Sequence, residues 1–148
     1  MKISLSLFVG CMLWVAPSGV VWLTDYNQAV AEAERSGKMI LLNFSGLDWC
    51  GPCIRMEKEI FESEVFDTYA QKNLVLLRAD FPRLKKNRLS ETQVKKNESL
   101  ADKYDSQGKF PYTVLMDTKG KVLEEWEGLP NSKPSAFVSE IDQAIHKN

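Results

Sequence analysis

The order of apolar and polar residues along the chain predicts alternating helices and strands. Residues 39–44 and 74–79 are short, nearly continuous apolar runs, which are typical of strands buried on both faces of a sheet. Residues 24–37 place apolar side chains at helical spacing and end in a glycine, which predicts a first helix. A second helical pattern begins at Pro52, and Ser63 is suited to cap a further helical segment.

The second half of the chain continues this alternation. Residues 81–97 are polar and basic, so we expect a loop with a short helix there, followed by one or two helical turns over 98–104. Residues 113–117 and 122–126 predict two antiparallel strands joined by a tight turn, and Pro134 opens a last helix. The complete order predicts an α/β fold with a central mixed β-sheet flanked by helices.

The first residues have a pattern of their own. Lys2 precedes a mostly apolar run that is shorter than the roughly 20 residues needed to span a bilayer. Ala16 and Ser18 are small residues at the spacing required for cleavage before Gly19. We therefore expect residues 1–18 to be a cleavable signal peptide and residues 19–148 to form one domain that is exported to the periplasm.

Two alternatives exist for this leader. It could be retained as a helix packed on the domain, although residues 24–37 already provide a complete first helix. Phe8-Val9-Gly10-Cys11 also loosely resembles a lipobox, in which Cys11 would be lipidated and would anchor the protein to a membrane. Phe8 is a poor match to that pattern.

The composition fits a single globular domain, because 44% of the 148 residues are hydrophobic and 26% are charged. A formal net charge of −1 provides no overall positive field that could hold nucleic acid. We expect no nucleic-acid partner. We also expect a monomer.

The cysteines give the candidate chemistry. Removal of residues 1–18 takes Cys11 away and leaves Cys50 and Cys53 as the only pair. The pair follows a predicted strand and opens a predicted helix, where unpaired backbone N–H groups and the helix dipole favour a thiolate. We therefore expect Cys50 to be the nucleophile. Cys53 lies about one turn further on and is expected to resolve a mixed disulfide, while Pro52 suits the first helical turn.

A structural disulfide or a metal site would be simpler interpretations of this pair. A bridge across two residues closes a very small loop and would stabilise the fold little. A tetrahedral zinc site needs four ligands, and only the distant His146 could join the two thiols, which also weakens a metallochaperone interpretation. We therefore expect a redox-active disulfide without metal or other cofactor.

The segment Trp49-Cys50-Gly51-Pro52-Cys53 resembles, residue for residue, the active-site motif of the thioredoxin superfamily. The preceding strand, the helical continuation and Phe110-Pro111 ahead of a later strand also match in order, so the resemblance covers about residues 24–147. The leader and the approach Asp48-Trp49-Cys50 are closer to the exported, Dsb-type members of the superfamily.

This resemblance implies a thioredoxin fold in which Cys50 attacks and Cys53 resolves. It implies a cis peptide bond at Pro111, facing the cysteines, and X-Pro bonds are the usual place for such a bond. Phe110 would then help to hold an extended substrate peptide, and Trp49 would pack beside the reactive sulfur.

The resemblance also implies a direction for the electrons. Gly51 and Pro52 form the dipeptide of reducing thioredoxins, whose potential is about −270 mV against about −120 mV for the oxidant DsbA. We expect a reductase acting on disulfides of exported proteins. A membrane thiol carrier of the DsbD or CcdA type would supply its electrons, since no Gly-rich nucleotide motif is present.

Two other functions remain open at this point. The same dithiol could serve an isomerase or an oxidase. Alternatively, the chain could be a non-catalytic peptide-binding or chaperone module that uses a groove around Trp49, Phe110 and Tyr112.

Three features depart from the thioredoxin pattern. Asn43 stands where thioredoxins carry a buried aspartate that assists proton transfer at the resolving cysteine, and an amide cannot act as a base. The loop 45–48 is one residue longer, and Asp48 is a candidate for a charge that modulates the site, with a merely solvated side chain as the alternative. The basic residues of segment 83–96 predict a solvated loop, with a partner-docking surface as the alternative; they are Arg83, Lys85, Lys86, Arg88, Lys95 and Lys96.

Overall fold

The computed structural model describes residues 19–147, so the predicted signal peptide and Cys11 lie outside the described residues. Five strands are present there: β1 (Trp22–Leu23), β2 (Met39–Ser45), β3 (Leu74–Asp80), β4 (Tyr112–Met116) and β5 (Val122–Glu127). The α-helices are α1 (Tyr26–Ser36), α2 (Gly51–Met56), α3 (Glu64–Asn73), α4 (Glu91–Tyr104) and α5 (Pro134–His146). A π-helical turn (Glu57–Phe61) extends α2, and a 3₁₀ turn (Lys85–Asn87) lies between β3 and α4. None of the helices within residues 19–147 is both long and apolar enough to cross a membrane.

The strands form one mixed sheet in the order β1-β3-β2-β4-β5. Strands β1, β3 and β2 run parallel, whereas β4 is antiparallel to β2 and to β5. The predicted fold class is therefore confirmed. β2 lies between β3 and β4, which explains why its sequence is apolar on both faces.

Successive residues of β2 point to opposite faces of the sheet and divide the core into two layers. Leu42 packs in the layer of α1 and α4, together with Ala33 and Leu100. Leu41 packs in the layer of α2, α3 and α5, together with Met56 and Ile141. Both layers converge on the carboxyl end of β2, which they hold in a fixed position.

The first helix begins and ends as its sequence predicts. The side chain of Asp25 accepts a hydrogen bond from the backbone N–H of Gln28 and caps the helix. Gly37 follows the helix with φ of 69°, a left-handed conformation that glycine adopts without steric cost. Ser63 likewise caps α3, by accepting from the N–H of Phe66.

Two elements differ from what the sequence predicts. The helix expected over 98–104 begins seven residues earlier, at Glu91, because the side chain of Ser90 caps it by accepting from the N–H of Gln93. Lys95 and Lys96 therefore belong to α4 and not to a solvated loop. The short strand β1 was not predicted, because two residues are too few to show a periodic pattern.

Candidate active site

The candidate site begins where β2 ends. The backbone N–H groups of Trp49 and Cys50 both donate to the carbonyl of Gly46, at 3.2 and 2.8 Å, and fold residues 46–50 into a tight turn. Cys50 therefore emerges directly from the central strand of the sheet. It is the residue that precedes α2.

Cys50 and Cys53 form a disulfide with a Cα–Cα distance of 5.2 Å. Cys50 caps α2, and its Sγ accepts a hydrogen bond from the backbone N–H of Cys53 at 3.3 Å. Gly51 and Pro52 form the exposed first turn between them. The first sulfur thus lies at the N-terminus of a helix, where N–H donors and the dipole favour a negative charge on it.

The second part of the site comes from the start of β4. The peptide bond between Phe110 and Pro111 is cis. Pro111 is buried, and its carbonyl accepts a hydrogen bond from the N–H of Gly128 at 2.8 Å. Since Tyr112 is the register partner of Phe44, this segment lies beside the end of β2, next to the turn that leads to Cys50.

Trp49 joins these two parts. Its ring meets the ring of Phe110 edge-on with centroids 5.5 Å apart, and Phe81 meets the same Phe110 ring at 5.5 Å. The indole Nε1 of Trp49 donates to the backbone carbonyl of Phe81 at 2.7 Å. The guanidinium carbon of Arg83 lies 3.5 Å from the centre of the indole ring. The residue before Cys50 is therefore held from three sides.

Gly46 has a role that the sequence analysis missed. A Cβ atom at this position would collide with the indole of Trp49, so the close approach of ring and backbone requires glycine. The position of Phe81 was also missed. The sequence gives little indication of either role, because both depend on how two loops that are distant in the sequence pack together.

Asn43 is buried on β2, and its amide nitrogen donates two hydrogen bonds. Its Nδ2 donates to the hydroxyl of Thr113 at 3.1 Å and to the carbonyl of Tyr112 at 3.5 Å. An uncharged amide thus occupies the position where the resemblance leads one to look for a carboxylate. Tyr112 itself is buried, with 7% exposure, and burial raises its pKa to about 12.

A buried ion pair that the sequence analysis did not predict lies next to Asn43. Arg78 of β3 is the register partner of Asn43, and its Nη2 lies 2.6 Å from Oε2 of Glu57, in the turn that extends α2. The side chain of Arg78 is 8% exposed and that of Glu57 is 23% exposed. The guanidinium carbon also lies 3.9 Å from the ring centre of Trp22. Neither Nη2 of Arg78 nor Oε2 of Glu57 has a hydrogen bond of good geometry within the described residues. The interaction is therefore an electrostatic attraction without a well-aligned hydrogen bond.

Asp48 binds the chain that follows β3. Its carboxylate accepts hydrogen bonds from the N–H groups of Arg83 and Leu84, at 2.9 and 3.0 Å, and from Nδ2 of Asn87 at 3.0 Å. The bond from Arg83 is the largest of the effects that hold the pKa of Asp48 below its ordinary value. Nearby Asp80 differs, because burial raises its pKa although its carboxylate accepts from the N–H of Leu47.

The described part of the chain contains no cluster of three or more His, Cys, Asp or Glu side chains that could hold a metal ion. His146 lies in the last turn of α5, where Nδ1 contacts the carbonyl of Asp142 at 2.7 Å.

The fold and the site define a thioredoxin-fold protein with a disulfide at the start of the helix that follows its central strand. The chain belongs to the thioredoxin-like family, whose profile matches residues 21–118. It is an enzyme of the thiol-disulfide oxidoreductase class.

Known relatives agree with this assignment. Disulfide bond reductase DsbH of Chlamydia pneumoniae is 34% identical over 131 residues, which cover 88% of this chain and 76% of that protein. A solved structure of a DsbH oxidoreductase has a TM-score of 0.79 and 30% identity, and the match covers 100% of this chain and 96% of that chain. The oxidised C-terminal domain of DsbD from Neisseria meningitidis shares the fold, with a TM-score of 0.59, 14% identity and coverage of 84% and 99%.

Proposed function

We propose that this chain reduces disulfides in exported proteins, with Cys50 as the attacking thiol and Cys53 as the resolving thiol. The observation that carries the proposal is the position of the Cys50 sulfur, which caps α2 and accepts the N–H of Cys53. A thiolate on that atom would keep the same hydrogen bond with a full charge on the acceptor, which strengthens it. The 34% identity to a disulfide bond reductase supports the reducing direction.

The reaction proceeds through two exchanges. In the reduced enzyme, the Cys50 thiolate attacks one sulfur of the substrate disulfide, forms a mixed disulfide, and releases the other substrate sulfur as a thiolate that takes up a proton. The Cys53 thiol then loses its proton and attacks the Cys50 sulfur. The mixed disulfide breaks, the Cys50–Cys53 disulfide forms, and the second substrate sulfur leaves and is protonated. Two electrons have then passed to the substrate.

The different surroundings of the two cysteines support these roles. Cys53 is 2% exposed and lies inside the helix, whereas Cys50 is 5% exposed and is followed by the open turn of Gly51 and Pro52. A large substrate can reach the site from that open side. The attacking role therefore suits Cys50, and the internal role suits Cys53.

Trp49, Phe110 and Pro111 are proposed to bind the substrate. The edge-on contact of Trp49 with Phe110 gives an apolar wall beside the sulfur, and the Gly128 bond to the Pro111 carbonyl fixes the start of β4. A fixed wall of this kind lowers the entropy lost when an extended peptide is held against it.

Location and electron supply complete the proposal. Residues 1–18 would be removed as a signal peptide, and residues 19–148 would act in the periplasm. A membrane thiol carrier of the DsbD or CcdA type would return electrons to the Cys50–Cys53 disulfide. The relationship to a Dsb-type reductase supports this proposal.

The reducing direction is tested by equilibrating the purified domain with glutathione and by insulin reduction. We expect a potential near the thioredoxin value of about −270 mV, and a value near the −120 mV of DsbA would contradict the proposal. The Cys50→Ser variant should lose all insulin reduction. If the Cys50→Ser variant is as active as the wild type in this assay, the chain is a binding module and not a reductase.

Partners and location need separate experiments. A Cys53→Ser variant expressed in the host should accumulate mixed disulfides through Cys50, and mass spectrometry of the adducts would identify substrates and electron donor. Cys50→Ser/Cys53→Ser is the matched control and should trap nothing. The mass of the exported protein distinguishes a start at Gly19 from a lipidated Cys11.

A further inference from the structure

The segment between β3 and α4 carries a concentration of positive charge beside the active site. Its four cations are all exposed, and no acidic residue lies between Phe81 and Ser90. We name these cations the basic rim; they are Arg83, Lys85, Lys86 and Arg88.

None of the four cations of the basic rim forms an ion pair within residues 19–147. Four other cations of the described structure are neutralised by a carboxylate, in the pairs Arg35–Glu32, Arg55–Glu59, Lys96–Asp25 and Lys109–Glu127. The charge of the rim thus remains available to a partner.

The rim is fixed relative to the reactive sulfur. Asp48, two residues before Cys50, binds the backbone N–H groups of Arg83 and Leu84 and the side chain of Asn87. These bonds hold the 3₁₀ turn that carries Lys85 and Lys86 against the active-site turn. Because three hydrogen bonds hold the loop, its charged side chains stay close to the active-site turn.

Arg83 brings the rim into the site itself. Its guanidinium lies on the face of Trp49, and the indole meets Phe110 at its edge. A peptide bound along Trp49 and Phe110 would therefore pass within a Debye length, about 8–10 Å in physiological salt, of at least this charge. At that range the rim attracts acidic groups and repels basic ones.

We propose that the basic rim selects substrates whose disulfides are flanked by aspartate or glutamate. This inference rests on the proposed reductase function, because it assumes that a substrate binds beside Cys50. An anionic membrane is disfavoured as the partner, since a bilayer lying on the rim would cover Trp49 and the open turn of Gly51 and Pro52.

The test uses three synthetic peptides with the same internal disulfide, flanked by acidic, neutral or basic residues. The second-order rate of their reduction by the reduced wild-type domain is measured at low and at high salt. We expect the acidic peptide to react roughly tenfold faster than the basic one at low salt, and the difference to vanish at high salt.

Two charge-reversed variants locate the effect. Lys85→Glu/Lys86→Glu leaves Arg83 and Arg88 balanced by two glutamates, so the rim has no net charge and the difference between the acidic and basic peptides should disappear. Lys119→Glu/Lys121→Glu, in the exposed turn between β4 and β5, changes the net charge equally and should keep the wild-type order. Loss of the difference in both variants would mean that total charge, and not the rim, selects the substrate, and a difference that Lys85→Glu/Lys86→Glu leaves unchanged would exclude the rim; either result overturns the inference.

The remaining outcomes are distinct. If the wild type reduces all three peptides at equal rates at low salt, the reductase proposal stands and the rim inference is wrong. If it reduces none of them, the reductase proposal and the rim inference are both wrong.

Sedimentation with vesicles of anionic lipid is run in parallel. Vesicle binding that is lost in Lys85→Glu/Lys86→Glu, with an unchanged peptide order, would make the rim a membrane surface and overturn the inference.

Discussion

The indole Nε1 of Trp49 donates a 2.7 Å hydrogen bond to the backbone carbonyl of Phe81. This bond joins the residue before Cys50 to the chain that leaves β3. Asp48 joins the same two segments through the N–H groups of Arg83 and Leu84. The active-site turn and the basic rim are therefore one structural unit, and changes in either should affect the other.

Trp49→Phe should destabilise the oxidised domain by about 1–2 kcal/mol, because it removes the donor to the Phe81 carbonyl and part of the buried ring. Peptide reduction should also slow, since the wall beside Cys50 loses its fixed position. Urea unfolding and peptide kinetics measure the two effects. Trp126→Phe is the control, because its Nε1 bonds only to the exposed carboxylate of Glu140, and it should leave the reduction rate unchanged.

Gly46→Ala should cost about 1–3 kcal/mol of unfolding free energy, because the new Cβ collides with the indole of Trp49. The near-ultraviolet circular dichroism of the domain should change as the ring moves. Gly51→Ala is the control for stability, since a Cβ at that position meets no atom within 4 Å. Equal stability of the two variants would show that the indole can move aside freely.

Asp48→Asn should destabilise the domain at neutral pH and have less effect in acid. The pKa of Asp48 is lowered in the folded protein, chiefly by the Arg83 N–H, so its ionised form contributes stability above the ordinary pKa of 3.8. That contribution is lost as the pH falls through the folded pKa. Unfolding free energies of wild type and variant at pH 7 and pH 3 should therefore differ more at pH 7. A difference that is independent of pH would contradict the assignment.

Asp80→Asn should behave in the opposite way. Burial raises the pKa of Asp80 in the folded protein, so ionisation opposes folding as the pH rises above 3.8. An asparagine can still accept the N–H of Leu47 but carries no charge to bury. The variant should therefore be more stable than wild type at pH 7, with the gain fading toward pH 3. Asp102→Asn, which makes the same change at an exposed position of α4, is the matched control for the loss of a carboxylate.

Glu57→Gln should destabilise the domain by about 3 kcal/mol, because it leaves the buried guanidinium of Arg78 without its counter-charge. Glu59→Gln, on the same helical extension, breaks the exposed pair with Arg55 and should cost far less, because solvent screens that pair. Urea unfolding of both variants gives the comparison. A loss below 1 kcal/mol for Glu57→Gln would mean that water reaches Arg78.

The sequence predicted the elements that follow from local patterns. Continuous apolar runs identified β2 and β3 because central strands are buried on both faces. The position of Cys50 as the cap of α2 was predictable, since a strand-to-helix boundary puts its first side chain at the free N–H groups of the helix. The hairpin of β4 and β5 followed from its turn.

Features that depend on long-range contacts were missed or only partly anticipated. Ser90 and Gln93 carry a capping pattern, but the exposed lysines that follow obscured the start of α4. Asn97 is buried there as a polar residue that donates to the Asp80 carbonyl, which no apolar periodicity reveals. Asp48 was predicted only as a nearby charge, and its binding of the rim depends on the path of a loop more than thirty residues away.

Strand β5 has a further effect at the outer edge of the sheet. The exposed carboxylates of Glu124 and Glu125 line a strand whose far side is open to pairing, whereas the charge of Glu127 is balanced by Lys109. A second copy approaching in antiparallel fashion would bring its own carboxylates against these, and like charges that face each other weaken strand pairing. At neutral pH this edge therefore resists growth into extended aggregates, which favours the single-subunit state expected for the protein.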